Sequence, residues 1–405
     1  MEMEMEMAEG HLHGHCDERF AQLREAIVRR LAGGDELGLS LAVDLDGELL
    51  VDLYGGWMDP EQTRPWRRDT IVNVWSTTKT ITALAALMLV DRGALELEAP
   101  VARYWPEFAA NGKERVVVRH LLSHSSGVAG WEQPVTVEDI FDCEAAAARL
   151  AAQAPWWEPG TASGYQAASY GALLGELVRR TTASSLRAFV AEEIAGPLRA
   201  DFQLGAAEAD WDRVATVIPP PPLAIDLDAL PVPALKTFTG PAIDAAVANT
   251  PGWRQADLGA VNGHGNAVSV ARILSAVTLG GTAQGVRVLS PETIDLIFEQ
   301  QASGVDLVVG IPLRRGVGFA LPQLETLPYI PDERVCFWGG WGGSMIIIDI
   351  TRGLTISYMM NRMSAGIIGS EKVRASKPDR RRGGRARRQS DSTHGSDGAI
   401  PYLTN

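Results

Sequence analysis

The stretch Val72-Asn73-Val74-Trp75-Ser76-Thr77-Thr78-Lys79-Thr80-Ile81-Thr82-Ala83-Leu84-Ala85-Ala86-Leu87-Met88-Leu89-Val90 changes character at its centre. A β-branched, strand-like run stops at Trp75, and a long apolar helix is expected from near Ser76. Residues three apart share a helical face, which places Lys79 one turn above Ser76. A helix start also aims free N–H groups and a positive dipole end at the serine. A serine hydroxyl needs a base within hydrogen-bond reach to act as a nucleophile. Burial disfavours the charged form of an amine, so a lysine in an apolar helical turn can be that base. Taken alone, the Ser-x-x-Lys spacing is a weak signal. An N-capping serine followed by a surface lysine has the same letters.

Outward from this stretch, apolar residues Phe20, Leu23, Ile27 and Leu31 recur at helical spacing, predicting a first helix over 17–31. Residues 39–43 and 49–53 alternate as strands around Asp46-Gly47, a hairpin signal. Downstream of the Ser76 helix come helices and loops, among them Arg119-His120-Leu121-Leu122-Ser123-His124-Ser125-Ser126-Gly127. His120 and His124 lie beside serines, but their place before Gly127 gives them the work of hydrogen bonding a turn. A Pro-rich, irregular segment runs over 199–260. Helices are expected over 266–279 and 291–301, the second capped by Ser290 with Pro291 in its first turn. Strands are expected over 316–321, 335–338, 344–350 and 354–360. The sheet is thus built from both ends of the chain, about 17–75 and 305–363, with a helical region of about 76–300 between them: an α+β or α/β fold.

Composition bounds the function. With 46% hydrophobic and 21% charged residues the chain reads as an ordinary globular protein. Three scattered cysteines, Cys16, Cys143 and Cys336, make no disulfide framework. No apolar run is long enough to span a membrane, and Met1-Glu2-Met3-Glu4 lacks the core of a signal peptide, so a cytoplasmic location is expected. Residues 370–405 hold nine Lys/Arg against four Asp/Glu, which leaves the remaining chain 28 against 46, a balance of −18. An acidic body argues against nucleic acid as a partner. The basic run from Lys372 to Arg388 has few aliphatics to bury, so disorder is expected from about 370. At the other end, His11-Leu12-His13-Gly14-His15-Cys16 looks like a metal motif. It sits in a low-complexity start, however, and is read as part of a disordered segment, 1–16, with no functional metal.

No Gly-x-Ser-x-Gly elbow occurs. Instead three stretches follow in order: Ser76-x-x-Lys79 opening a helix, Tyr165-Gln166-Ala167 after a Pro-Gly loop, and Trp338-Gly339-Gly340-Trp341-Gly342-Gly343-Ser344 between late strands. Together they resemble the serine β-lactamase/DD-peptidase superfamily, in particular the family VIII carboxylesterases with their class C β-lactamase-like architecture. The likeness runs over about 20–363 and implies one hydrolase domain over 17–369.

That resemblance implies Ser76 as nucleophile, Lys79 as its base, and Tyr165 as the tyrosine of a Tyr-x-Asn box, whose phenolate-like oxygen shuttles the proton. The asparagine of that box is Ala167 here. Trp338-Gly339-Gly340 stands where β-lactamases have Lys-Thr-Gly, and the N–H groups of Ser76 and Trp341 are implied as the oxyanion hole. Trp75, Trp338 and Trp341 are candidates to line an apolar pocket with Gly339 and Gly340. Trp338-Gly339 offers neither a cation nor a hydroxyl to a substrate carboxylate, although Arg314 or Arg315 is placed to supply a substitute charge. The reading is a cofactor-free esterase acting on small, mostly uncharged esters. Its rivals are a β-lactamase or DD-peptidase, an acyltransferase acting on a natural-product alcohol, and a non-catalytic protein that uses the basic tail.

Overall fold

The computed structural model describes residues 11–222 and 226–366. Fourteen strands are present: β1 Leu12–Cys16, β2 Gly38–Leu45, β3 Glu48–Gly56, β4 Val72–Asn73, β5 Phe202–Leu204, β6 Gly263–Gly265, β7 Thr282–Ala283, β8 Val286–Arg287, β9 Ala302–Val305, β10 Pro312–Arg315, β11 Ala320–Leu321, β12 Val335–Gly339, β13 Met345–Asp349 and β14 Leu354–Met360. Nine of them form one antiparallel sheet in the order β1-β3-β2-β14-β13-β12-β11-β10-β9. The two ends of the chain meet at its middle, where β2 pairs with β14 from Leu45↔Leu354 to Leu39↔Met360. All seven residues of β14 are buried, as a central strand with layers on both faces requires.

Five helices position the site or cover the sheet: α1 Ala21–Ala32, α2 Thr78–Asp91, α3 Val118–Leu122, α4 Ser169–Thr182 and α5 Ala267–Thr278. Thr355 reaches Thr278 of α5, and Ser40 of β2 accepts from Ala267 N. Small polar side chains therefore line that face. Alternation turns Leu354, Ile356 and Tyr358 to the other face, where Tyr358 meets Arg30 of α1 and Glu36. The predicted hairpin is present. Asp46 and Gly47 both have positive φ, and Asp44 Oδ1 accepts from Gly47 N at 3.0 Å.

Several expectations are corrected by the structure. Residues 12–16, expected to lie in a disordered start, form edge strand β1, fully registered on β3 with Leu12 buried. Gly14 permits this pairing, since a Cβ there would lie 1.8 Å from Asp52 O. The strand expected over 316–321 shrinks to β11 because Gly316 and Gly318 bend the chain, Gly318 passing so close to α2 that a Cβ would lie 2.6 Å from Ala83 Cβ. The helix expected over 291–301 stops at Ile297, with its Ser290 cap in place at 3.2 Å from Thr293 N. The strands β9 and β10 were not anticipated. The expectation for residues from about 370 lies outside the described residues.

Candidate active site

The Ser76 turn is held from two sides, by β6 and by the large sheet. Val74 N donates to Gly263 O at 2.8 Å, and Gly263 N donates to Thr78 Oγ1 at 2.8 Å, so β6 clasps the turn. From the sheet, Ser344 Oγ donates to Val74 O at 2.7 Å and lies 3.0 Å from Thr77 Oγ1. Gly340 packs so tightly here that a Cβ would sit 2.1 Å from Ser344 Oγ and 2.4 Å from Val74 O. Trp75 has φ of +50°, a left-handed conformation that costs a side-chain-bearing residue roughly 1–2 kcal/mol. Its buried ring is fixed by Trp341 at 5.1 Å and Trp253 at 5.6 Å. Ser76 lies in a 3-10 turn, Trp75–Thr77, one turn ahead of α2 rather than within it.

Lys79 is completely buried at the start of α2. Its Nζ stands 3.0 Å from Ser76 Oγ, 2.7 Å from Ala167 O and 3.0 Å from Ala260 O. Burial, reinforced by the charge of Arg315, holds this amine well below the ordinary lysine range. A neutral amine has two N–H donors and one lone pair. In that form the two carbonyls would take the donors and leave the lone pair to the Ser76 hydroxyl. The missing asparagine of the Tyr-x-Asn box thereby finds a partial answer: at position 167 the backbone carbonyl holds Lys79.

Tyr165 OH completes the group, 2.6 Å from Ser76 Oγ. Burial pushes this phenol up to about 12, against its bond to Ser76, the Arg315 charge and the bond to Trp338. That direction favours the neutral phenol over the phenolate-like oxygen that the resemblance implies. The segment carrying it is fixed by Gln166 N, which donates to His124 Nδ1 at 3.0 Å. His124 is stacked between Tyr170 and Trp338, at 4.8 and 5.2 Å. Burial, then Arg315 and Lys79, hold its imidazole well below the usual range, so it is a neutral bracket. His120 Nδ1 accepts from Val117 N at 3.3 Å. Both histidines thus bond backbone, as their place in the sequence suggested.

The structure brings Ser76, Lys79 and Tyr165 together and sets Trp341 against Trp75. It treats the tryptophans unequally. Trp338 is only 4% exposed and packs into the interior, while Trp341 and Gly339 are partly open. Neither arginine is free to serve as a substitute charge. Arg314 bonds Gln300 and Asp332, at 3.0 and 2.9 Å, and Arg315 is buried with Asp306 at 3.2 Å. Asp306 was missed from the sequence. A lone acid in Val305-Asp306-Leu307-Val308-Val309 was the available signal, since a carboxylate in an apolar run needs a partner.

A serine clasped between a sheet and a helical region, with a lysine and a tyrosine on its oxygen, is the arrangement of a serine-hydrolase type of site. A β-lactamase family model matches residues 23–369, and the chain belongs to that family. Esterase/beta-lactamase LipL of Mycobacterium tuberculosis is 33% identical over 370 residues, covering 88% of this chain and 84% of its own. Esterase EstB of Burkholderia gladioli is 31% identical, covering 84% and 88%. The crystal structure of a family VIII carboxylesterase superposes with a TM-score of 0.84 at 36% identity, covering 89% of this chain and 96% of that one.

Proposed function

We propose that the protein is a serine carboxylesterase that cleaves small, mostly uncharged esters through an acyl-enzyme on Ser76. The observation that carries the reading is the pair of contacts on Ser76 Oγ, from Tyr165 OH at 2.6 Å and Lys79 Nζ at 3.0 Å. Neutral Lys79 takes the hydroxyl proton as Oγ attacks the ester carbonyl carbon. The N–H groups of Ser76 and Trp341 receive the developing oxyanion, where one such donor contributes about 3 kcal/mol to the transition state. As the alkoxide leaves, Tyr165 gives it a proton and regains one from the Lys79 ammonium. Water then attacks the acyl carbon, the same pair accepts its proton, and the acid departs with Ser76 Oγ restored. The steps consume one water and need no cofactor.

Ester preference is supported by what surrounds the serine. Trp338-Gly339 brings neither ammonium nor hydroxyl, and Arg314 and Arg315 are committed to other partners. Hydrogen bonds to a charged group contribute about 1.5–3 kcal/mol each, so a carboxylate-bearing β-lactam loses recognition that a neutral ester never needed. The relatives named esterases support the same choice, while the name of LipL keeps β-lactam hydrolysis as a second reading. The described chain has no helix long and apolar enough to cross a membrane. Its cysteines are all free thiols, which fits the reducing cytoplasm we assign it to.

The test is kcat/KM for a neutral short-chain aryl ester against a cephalosporin of similar leaving-group reactivity, with intact mass recorded after each. The ester is expected to win by about 10²-fold and to leave a labile acyl adduct that Ser76→Ala lacks. Equal or faster turnover of the cephalosporin overturns the esterase reading.

A further inference from the structure

Asp306 and Arg315 touch no reacting atom, yet they tie together everything behind the nucleophile. Asp306 accepts from Ser163 Oγ at 3.1 Å, and from the N–H groups of Tyr165, Val308 and Val309 at 3.0, 3.0 and 3.1 Å. Its remaining partner is Arg315 Nη2 at 3.2 Å. The guanidinium of Arg315 then lies over the Trp338 ring at 4.9 Å and the Tyr165 ring at 5.6 Å. Arg315 is only 3% exposed, and its Nε is buried with no hydrogen-bond partner among the described residues.

An ion pair in such a place is an expensive way to fill a core. Taking both ions out of water costs several kcal/mol each, and a well-packed apolar pair of similar volume is often as stable or more so. Packing alone does not account for it. We propose that Arg315 is a positioning residue for the reaction: locked by Asp306 and stacked on Trp338 and Tyr165, it sets a fixed positive charge behind the Ser76–Lys79–Tyr165 cluster. This inference rests on the esterase mechanism above and adds to it a residue that the substrate never meets.

The charged and titratable groups facing this core are few. They are Lys79 from α2, His124 from the turn after α3, Tyr165 and Tyr170 around the start of α4, Asp306, and Arg315 from β10. His124 is held neutral, and Tyr165 and Tyr170 are both pushed up by burial and remain phenols. Asp306, which burial alone would raise, is kept low by Arg315 and by the N–H groups it accepts, so it stays an anion. After burial, Arg315 is the charge that disfavours a proton on Lys79. Without it the amine holds its proton to higher pH and is a free base over less of the working range.

The experiment compares kcat/KM for a neutral aryl ester across pH in Arg315→Gln, in Arg315→Gln/Asp306→Asn, and in Arg315→Lys. The single Gln variant keeps the four other donors to Asp306, and the double variant removes the buried charge if the single one folds poorly. In both, the acid limb of the profile is expected to move up by about one pH unit or more, a loss of about tenfold at pH 7 that recovers at alkaline pH. Arg315→Lys retains the charge and is expected to keep the limb near its wild-type position. A role limited to bracing the fold lowers kcat/KM evenly across pH. An unmoved limb in a folded charge-removed variant, or a limb in Arg315→Lys raised as far as in Arg315→Gln, overturns the proposal. Ser76→Ala separates the two readings: if it keeps wild-type turnover the acyl-enzyme mechanism fails, whatever Arg315 does.

Discussion

Among the described residues two lysines, Lys79 and Lys113, are fully buried with much the same immediate surroundings. Lys79 donates to the carbonyls of Ala167 and Ala260 and lies over the Tyr165 ring at 4.9 Å. Lys113 donates to the carbonyls of Ala110 and Gln153 and lies over the Phe108 ring at 5.3 Å. Burial lowers both amines, Lys113 to about 8 and Lys79 well below the ordinary range with the help of Arg315. Beyond that they part. Lys79 has a third neighbour that can give up a proton, Ser76 Oγ at 3.0 Å, and Lys113 has only carbonyls, which cannot. Burial lets a lysine lose its proton at lower pH; in the proposed mechanism an adjacent hydroxyl and a fixed cation put the free amine to use.

The largest effect that would break this contrast is at the serine. Ser76→Ala is expected to remove about 10⁶ in kcat, with Lys79→Ala and Tyr165→Phe each costing 10² or more, as assayed on an aryl ester. Because the three act as a unit, the Lys79→Ala/Tyr165→Phe double variant should lose far less than the product of the single losses. Additive losses would mean that the two residues work independently. Lys113→Met is expected to keep kcat/KM within about threefold while lowering the melting temperature, since it orphans two carbonyls but touches no reacting atom.

A smaller but still sharp effect is expected at Gly340. Gly340→Ala must displace either Ser344 or the Val74 carbonyl, and so moves the turn that holds Ser76. We expect kcat to fall by about 10²-fold, the cost of a misplacement near 1 Å, with KM less affected. Unchanged kcat would show that the turn tolerates the shift.

The smallest effect is in the pH dependence of stability, and it separates the lysines from the carboxylates. Lys113 has a folded value of about 8, below its unfolded value near 10.4, so between them the unfolded chain binds more protons. Stability should therefore rise with pH through that window. Melting curves from pH 7.5 to about 10 should show the rise in wild type and a weaker one in Lys113→Met. The catalytic profile has a different shape. On the proposed mechanism activity is expected to fall on the acid side as Lys79 takes a proton, with the alkaline limb expected from Tyr165, which burial pushes up to about 12.

Legibility in the sequence followed distance along the chain. Ser76 and Lys79 are one turn apart, so a helical period was enough to pair them. The Asp46-Gly47 hairpin and β14 likewise carry their signals within a few residues. Tyr165 was reached only through the order of motifs. The acceptors of Lys79 could not be read at all, because Ala167 and Ala260 act through backbone oxygens that any residue possesses. The partnership of Asp306 and Arg315 joins the residue just past β9 to the end of β10, two strands that the sequence did not show. β9 is largely exposed and lacks the alternation that marks a half-buried strand. β1 hid for a related reason: His13 and His15 face outward, and the pairing that orders them lies with β3 about forty residues on.

The seam at the middle of the sheet bears on how the protein is made. Its partners, β2 and β14, are separated by nearly the whole described chain, Leu39 lying opposite Met360. On a ribosome adding about 5–20 residues per second, the inner edge of β2 emerges roughly 15–60 s before the strand that will cover it. Through that interval the first hairpin carries an apolar strand with one side unsatisfied, the kind of edge that recruits other chains. The last strand synthesised within the described region is therefore the keystone of the sheet. A nascent chain halted before residue 354 has the Ser76 turn, Lys79 and Tyr165 in hand, but no Met345–Asp349 to Leu354–Met360 pairing to hold Ser344 against Val74 and Thr77, the residues that flank the serine's turn.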